Sequence, residues 1–340
     1  MAFTSILNTV TLSEFTDLVD KTFLMGPKLL PLRARQLFIV DDMPNFTGNT
    51  RRYDEVDTET FAHLKNEGED AQSMRAGVGY NKTMTMRRFA AEISITWEMR
   101  RLNKAPEVTS QLKSLSTFCT YRMELDLSHR ISFATATSYT DLDGETVSTT
   151  TGDGLALVSA SHTLSGSATT YSNVITGNPV FSASGLEVAE TQANTQILSN
   201  LGEQRMMEFN TIVTSRNPET VNAVKQLIDS MSDVDQSNPG VINVYGSKYR
   251  HIVLPYVDTD ANGAYDSTKT KYWSLVAAGQ GIDGWQAYLG IWEQPNLKTP
   301  SSGNNGEDVH NDNWTYGTRC AYGIVAVSPK GFLLSTGLGS

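Results

Sequence analysis

Residues 106–135 read PEVTSQLKSLSTFCTYRMELDLSHRISFAT, and this stretch decides the fold. Val108, Leu112, Leu115, Cys119, Met123, Leu127, Ile131 and Ala134 recur at steps of three and four, the pattern of one buried helical face. Ala105-Pro106 puts a proline in the first turn, where its missing N–H costs nothing. At about 1.5 Å per residue the spacing predicts a helix about 45 Å long over residues 105–135. Its serines and threonines are weak helix formers, so packing must sustain it. A helix of this length in a chain of 340 residues acts as a strut.

Immediately upstream the charges divide. From Asp54 to Asp70 seven acids (Asp54, Glu55, Asp57, Glu59, Glu67, Glu69 and Asp70) stand against one base, Lys65. From Arg75 to Lys104 seven bases (Arg75, Lys82, Arg87, Arg88, Arg100, Arg101 and Lys104) stand against two acids, Glu92 and Glu98. Ala91, Ile93, Ile95 and Trp97 alternate with polar residues, which predicts a half-buried strand. Residues 51–101 therefore read as a long hairpin with an acidic limb and a basic limb, too polar and outstretched to bury itself. For any single charge pair, ordinary solvated surface charge is a sufficient account. Residues 1–50 read as an arm with a short helix from Ser13 to Thr22, its face formed by Phe15, Leu18, Val19 and Phe23 and its end set by Gly26-Pro27.

Downstream, residues 138–183 lose periodicity. A second helix is predicted from Ser184, with Leu186, Ala189, Ala193, Ile197 and Leu201 inward and Gly202 as its stop. From Phe209 strands and helices alternate. Thr211–Ser215 is a strand, Asn217-Pro218 starts a helix carrying Val221, Val224, Leu227 and Ile228, and Asn238-Pro239-Gly240 is a turn. Strands are expected at Ile242–Tyr245, His251–Val257, Tyr272–Val276, Leu289–Trp292, Tyr322–Val327 and Phe332–Leu334.

The net charge of -10 disfavours gripping nucleic acid through its phosphates, which takes a surplus of Lys and Arg. It suits the lining of a compartment that holds nucleic acid without sticking to it. Two cysteines, Cys119 and Cys320, give neither a disulfide framework nor zinc spacing, and read as buried small hydrophobes. No signal peptide and no window near the ~20 apolar residues of a membrane span is present, so synthesis in a cytoplasm is expected. Asp258-Thr259-Asp260-Ala261-Asn262-Gly263 copies the start of a calcium loop, but Lys269 occupies the twelfth position, where a Glu is needed. An acidic turn is the better reading. His162 lacks a Gly-x-Ser-x-Gly context and reads as a hydrogen-bonded structural histidine. No cofactor and no metal site is expected.

The order of elements resembles the major capsid proteins of tailed phages. The local matches are Asp153-Gly154-Leu155-Ala156-Leu157-Val158-Ser159-Ala160-Ser161-His162, then Ile212-Val213-Thr214 through Asn217-Pro218-Glu219, and Val253-Leu254-Pro255-Tyr256 followed by Tyr272-Trp273-Ser274-Leu275. These look like stretches of subunits related to the Mu-type head protein. The resemblance implies an α+β fold with an N-terminal arm (1–50), an extended E-loop (51–101), a peripheral domain (102–205) holding the long spine helix, an axial domain (206–321) and C-terminal strands (322–340). It implies a non-enzymatic subunit forming hexamers and pentamers of an icosahedral virion shell around double-stranded DNA, assembled in a bacterial cytoplasm. Partners expected on this basis are further copies, a separate scaffolding protein, a portal protein and a decoration protein, with no sequence-specific DNA contact and no membrane. The E-loop residues expected to reach a neighbouring subunit are Asp54, Glu55, Asp57, Glu59, Glu67, Glu69, Asp70, Arg75, Lys82, Arg87 and Arg88. The rival readings are an encapsulin-like shell or tail component, and a hydrolase using paired carboxylates, for which no pair is singled out.

Overall fold

The structure, a computed structural model, describes residues 12–29, 32–58, 61–74, 76–102, 105–230, 243–279, 284–300 and 310–339. Along the chain these form α1 (Leu12–Leu29), β1 (Ile39–Asp42), β2 (Thr50–Thr58), β3 (Ala76–Thr85), β4 (Arg87–Ile95), α2 (Trp97–Arg101) and α3 (Ala105–Ser132). Then follow β5 (Ser138–Thr140), β6 (Thr146–Ser148), β7 (His162–Leu164), β8 (Ser167–Tyr171), α4 (Ala183–Gln196), β9 (Thr211–Thr214) and α5 (Pro218–Asp229). The last strands are β10 (Arg250–Val253), β11 (Trp273–Val276), β12 (Ala287–Lys298), β13 (Trp314–Ala326) and β14 (Phe332–Ser335).

α3 is the element on which the others are built. It ends at Ser132, short of the expected residue 135; the seven stripe residues within it and Ala134 just beyond are buried, at 3% exposure or less, and each large aliphatic among them contributes about 1.5–3 kcal/mol by leaving water. Its first turns (Val108, Leu112, Leu115) pack with Phe15 and Val19 of α1 and with Trp314 and Tyr316 of β13. Its later turns (Cys119, Met123, Leu127, Ile131) enter the main core, against Leu289, Ile291, Tyr322, Val213 and Leu334.

Two four-stranded sheets meet at that core. One has the order β1-β12-β13-β4, with β1 parallel to β12 and the other pairs antiparallel. The second has the order β10-β9-β11-β14, in which β9 and β10 are parallel strands joined through α5. Every residue of β9, β11 and β14 is buried. One face of this sheet meets α3, and the other packs Ile212, Trp273, Leu275 and Leu333 on α4 and α5. A sheet covered on both faces loses the polar alternation of a half-solvated one. Asn217 caps α5 by accepting from the Glu219 N–H at 3.1 Å, with Pro218 opening the helix.

Several expectations are corrected. α1 continues through Gly26-Pro27 to Leu29; Phe15 and Val19 are buried against the chain's own α3, so this part of the arm belongs to the body. The basic limb divides at Met86. β3 pairs with β2 in a separate two-stranded hairpin, whereas β4 is the edge strand of the first sheet, paired with β13. Trp97 does not continue that strand but opens α2, capped by Thr96 through the Met99 N–H. The cap of α4 is Ser182, not Ser184, and the helix ends at Gln196, before Leu201. Residues 243–249 form turns where a strand was expected at Ile242–Tyr245; Ile242 and Asn238-Pro239-Gly240 lie outside the described residues. The boundary expected at residue 322 falls inside β13, a continuous 13-residue strand, so residues 206–321 do not separate as one unit. β12 and β13 serve the first sheet, while β14 returns to the second.

Candidate assembly surface

The hairpin β2–β3 is held firmly at its root. Tyr53 and Met84 are buried with Met43, Trp292 and Val325 on the outer face of the first sheet. Tyr53 stacks on Tyr288 at 4.3 Å between ring centroids, and its hydroxyl donates to Asp41 at 2.6 Å. Arg51 closes on the same carboxylate at 2.9 Å. A register shift between Asp54 and Val56 turns Glu55 inward. There Glu55 is 4% exposed, accepts from the Ser328 hydroxyl at 2.8 Å and pairs with the Lys330 ammonium at 3.1 Å. Lys330, itself buried, also donates to Asn200 Oδ1 at 2.9 Å. Gly79 makes this geometry possible, because a Cβ there would lie 2.6 Å from the Cβ of Glu55.

Every residue from Phe61 to Met74 is exposed, including Phe61 at 63%, Leu64 at 87% and Met74 at 63%. Single exposed apolar residues are ordinary, but three on one 14-residue excursion form a surface that suits a contact better than water. Glu67, Glu69 and Asp70 occupy the same tip, Glu69 accepting from Asn66 at 3.0 Å.

The structure distributes the residues expected to reach a neighbour unequally. Glu67, Glu69, Asp70 and Arg88 are exposed, as is Asp54, which accepts from Arg52 at 2.8 Å. Glu55 is committed inside its own chain and is not available to another. Lys82 is half-buried on Thr150, and Arg87 is paired with Asp141. Glu59 and Arg75 lie outside the described residues, as does the side chain of Asp57. In the register of the hairpin, Asp54 stands opposite Asn81 and Asp57 opposite Gly77.

Sequence reasoning missed a groove on the outer side of α3. Phe118, Tyr121 and Leu125, with Leu142 and Tyr256, line a cavity of about 500 Å³; Phe118 and Tyr121 are each 48% exposed. The signal was a second apolar stripe, Phe118, Tyr121 and Leu125, beside the buried one. It also missed the charge network beside it. Arg122, 8% exposed, binds Asp126 at 3.1 Å, Asp141 at 3.0 Å and Asp143 at 2.8 Å. Its guanidinium lies 4.7 Å from the Phe89 ring centroid.

The remaining candidates are structural. His162 is enclosed between Asp153 (2.6 Å from Nδ1) and Asn173 (3.2 Å from Nε2), which leaves neither ring nitrogen for a serine. In the acidic turn, Asp260 accepts from the N–H groups of Asn262 and Ala264, and the buried Lys269 ammonium reaches the Thr259 carbonyl at 3.1 Å. A cation fixed in the loop is the opposite of a calcium ligand. Cys119 and Cys320 are both buried in the main core, where the Cys119 thiol lies 3.8 Å from the Thr318 hydroxyl, a meeting of α3 with β13 that their spacing could not reveal.

His129 gives the subunit a pH response. It is 1% exposed and hydrogen-bonded through Nε2 to Thr259 at 3.0 Å. Burial first, then the Lys269 and Arg122 charges, hold it down at about 4, against an ordinary 6.5. The unfolded chain therefore takes up this proton at 6.5 and the folded chain only near 4, so stability is present above pH 6.5 and is lost as pH falls from there to 4. At 1.36 kcal/mol per unit the loss is on the order of 3 kcal/mol. Urea unfolding at pH 7 and pH 4.5 is expected to show this slope, and the substitution His129→Gln to flatten it. His251, held near 4 as well by burial and then by Lys225, adds a slope of the same sign, and this part remains in the His129→Gln variant.

No curated protein matches the chain. Among solved structures it is similar to the capsid subunit of cyanophage Pam1 (12% identity, TM-score 0.48, covering 88% of this chain and 87% of that one). It is similar to the mature capsid subunit of bacteriophage PhiM1 (13%, 0.48, 88% and 85%) and to the virus-like particle of Pyrococcus furiosus (12%, 0.46, 94% and 99%). The family model described as phage capsid protein matches residues 80–335, from the hairpin's second strand to the last residue of β14. On that match, which spans most of its length, the chain belongs to the phage capsid protein family.

Proposed function

We propose that this chain is the major shell subunit of a tailed-phage head, assembling as hexamers and pentamers into an icosahedral capsid around double-stranded DNA. The observation that carries the reading is the tip at residues 61–74: wholly exposed, part apolar and part acidic, at the end of a hairpin whose root is locked. A rigid root and a bare tip fit an element that completes its burial on another copy. Standard interfaces remove about 800 Å² per partner, and the tip together with the α3 groove offers apolar surface of the kind found at interface centres. Division of labour follows: apolar tip residues supply affinity, and the charges set register and partner choice. Its role is mechanical and needs no catalytic group. The acidic balance suits an inner wall that lets packaged DNA slide. A scaffolding protein, a portal protein and a decoration protein are the further partners of such a shell.

Replacing residues 61–74 by a short Gly-Ser turn tests this. The variant is expected to fold, with an unfolding free energy within about 0.5 kcal/mol of the parent, as for exposed substitutions. Expressed with its scaffolding protein, it should yield no closed shells in negative-stain micrographs. Shells at the parent's yield would overturn the reading.

A further inference from the structure

The structure contains a cavity in which two cations, Lys82 and Arg130, are met by neutral oxygens. The cavity measures about 390 Å³ and lies between β3, the C-terminal part of α3 and the segment Ser148–Thr150. Lys82 and Arg130 both point their charges into its wall, and both are met only by neutral oxygens: Lys82 donates to the Thr150 hydroxyl, Arg130 to the Ser148 carbonyl. The Arg130 Nε is buried and makes no hydrogen bond. Among the described residues neither cation has a carboxylate at ion-pair distance. Arg87 lines the same cavity but is already paired with Asp141, and Glu145 at the rim is exposed. Burial, and then the charge of Arg130, hold the Lys82 ammonium below the ordinary lysine range, as two cations confined together require.

We propose that this cavity receives carboxylates of the hairpin tip, Glu67, Glu69 or Asp70, from a second copy of the chain. The inference rests on the shell reading and names the partner surface for it. Charge complementarity selects the occupant: the tip carries three acids against Lys65, all exposed, and Lys82 and Arg130 bring two cations to one cavity. Reach excludes the chain's own tip. Lys82 lies six residues of extended strand from Ala76, where β3 begins, which at about 3.3 Å per residue holds the tip roughly 20 Å away. A neighbouring hairpin carries no such restriction.

Charge reversal tests the pairing. Lys82→Glu alone, and Glu67→Lys/Glu69→Lys/Asp70→Lys alone, are each expected to lower shell yield about tenfold, the scale of losing one close interfacial charge pair. Each variant subunit should remain folded by circular dichroism. The two sets combined in one chain should give a yield above either set alone, because the reversed tip regains one opposite charge at position 82 although Arg130 still opposes it. If Lys82→Glu fails to fold, Lys82→Met keeps the stem, removes the charge and carries the same expectation. Unchanged yield in the folded single variants, or a combined chain no better than either, overturns the inference while leaving shell formation intact. Tight binding of inorganic phosphate to unassembled subunits, lost with Lys82→Met and without effect on assembly, also overturns it. Absence of shells from the parent chain overturns the shell reading and this inference with it.

Discussion

Replacing Lys330 by methionine is expected to lower the stability of the folded subunit by about 3–5 kcal/mol, the scale for stranding one member of a buried ion pair. The partner left behind is Glu55, which is 4% exposed. It would retain the Ser328 hydroxyl at 2.8 Å and a long contact from the Tyr80 N–H at 3.3 Å, but, among the described residues, no positive charge at bonding distance. Asn200 would lose its Lys330 donor as well. The effect should be local before it is global: hydrogen exchange should quicken first in β2 and β3, whose junction with the body this pair holds. Replacing both residues, Glu55→Met with Lys330→Met, is expected to recover most of the loss, because an apolar pair of similar volume removes the stranded charge. A single variant with a loss below about 1 kcal/mol would show that water reaches Glu55 and that the root is not sealed.

Arg122→Met is the second large effect, again about 3–5 kcal/mol. Arg122 is the cation that Asp126 and Asp141 share, and both acids are 5% exposed or less. Burial pushes the Asp126 carboxyl up and the Arg122 charge opposes it, with Tyr322 donating to the same carboxylate at 2.7 Å. Asp141 keeps Arg87 and the N–H groups of Asp143 and Glu145, so Asp126 is the acid that suffers. In the variant Asp126 should therefore titrate higher than in the parent, and the loss should shrink as pH falls and the stranded carboxylate is neutralised. Urea midpoints at pH 7 and pH 5 separate this from simple loss of packing on Phe89, which has no such dependence.

What the sequence made legible was whatever depends on spacing. The stripe from Val108 to Ala134 announces α3 because a helix repeats every 3.6 residues. Asn217-Pro218 announces α5 because capping and proline placement are local chemistry. Where pairing is non-local the signal fails. Ala91, Ile93 and Ile95 report a half-buried strand but not its partner, so β4 was joined to β3 instead of to β13. Arg319 and the two glycines of β13 weaken its pattern, which is why a boundary was placed within a single strand. Glu55 carries the same side chain as its exposed neighbours, and Lys330 stands in a Ser-Pro-Lys-Gly turn that reads as solvated. Only the bulge at Glu55 and the space left by Gly79 bring the two together beneath the surface. The exposed tip was legible because its polarity and lack of periodicity offer no way to bury it.

A cryo-electron microscopy map of assembled particles, traced through residues 50–85, tests the central claim most directly. The account predicts a straight hairpin whose root keeps the Glu55–Lys330 pair and whose tip, residues 61–74, is ordered on an adjacent subunit. A tip folded back over its own subunit, or lying free of any neighbour in a closed shell, would contradict it.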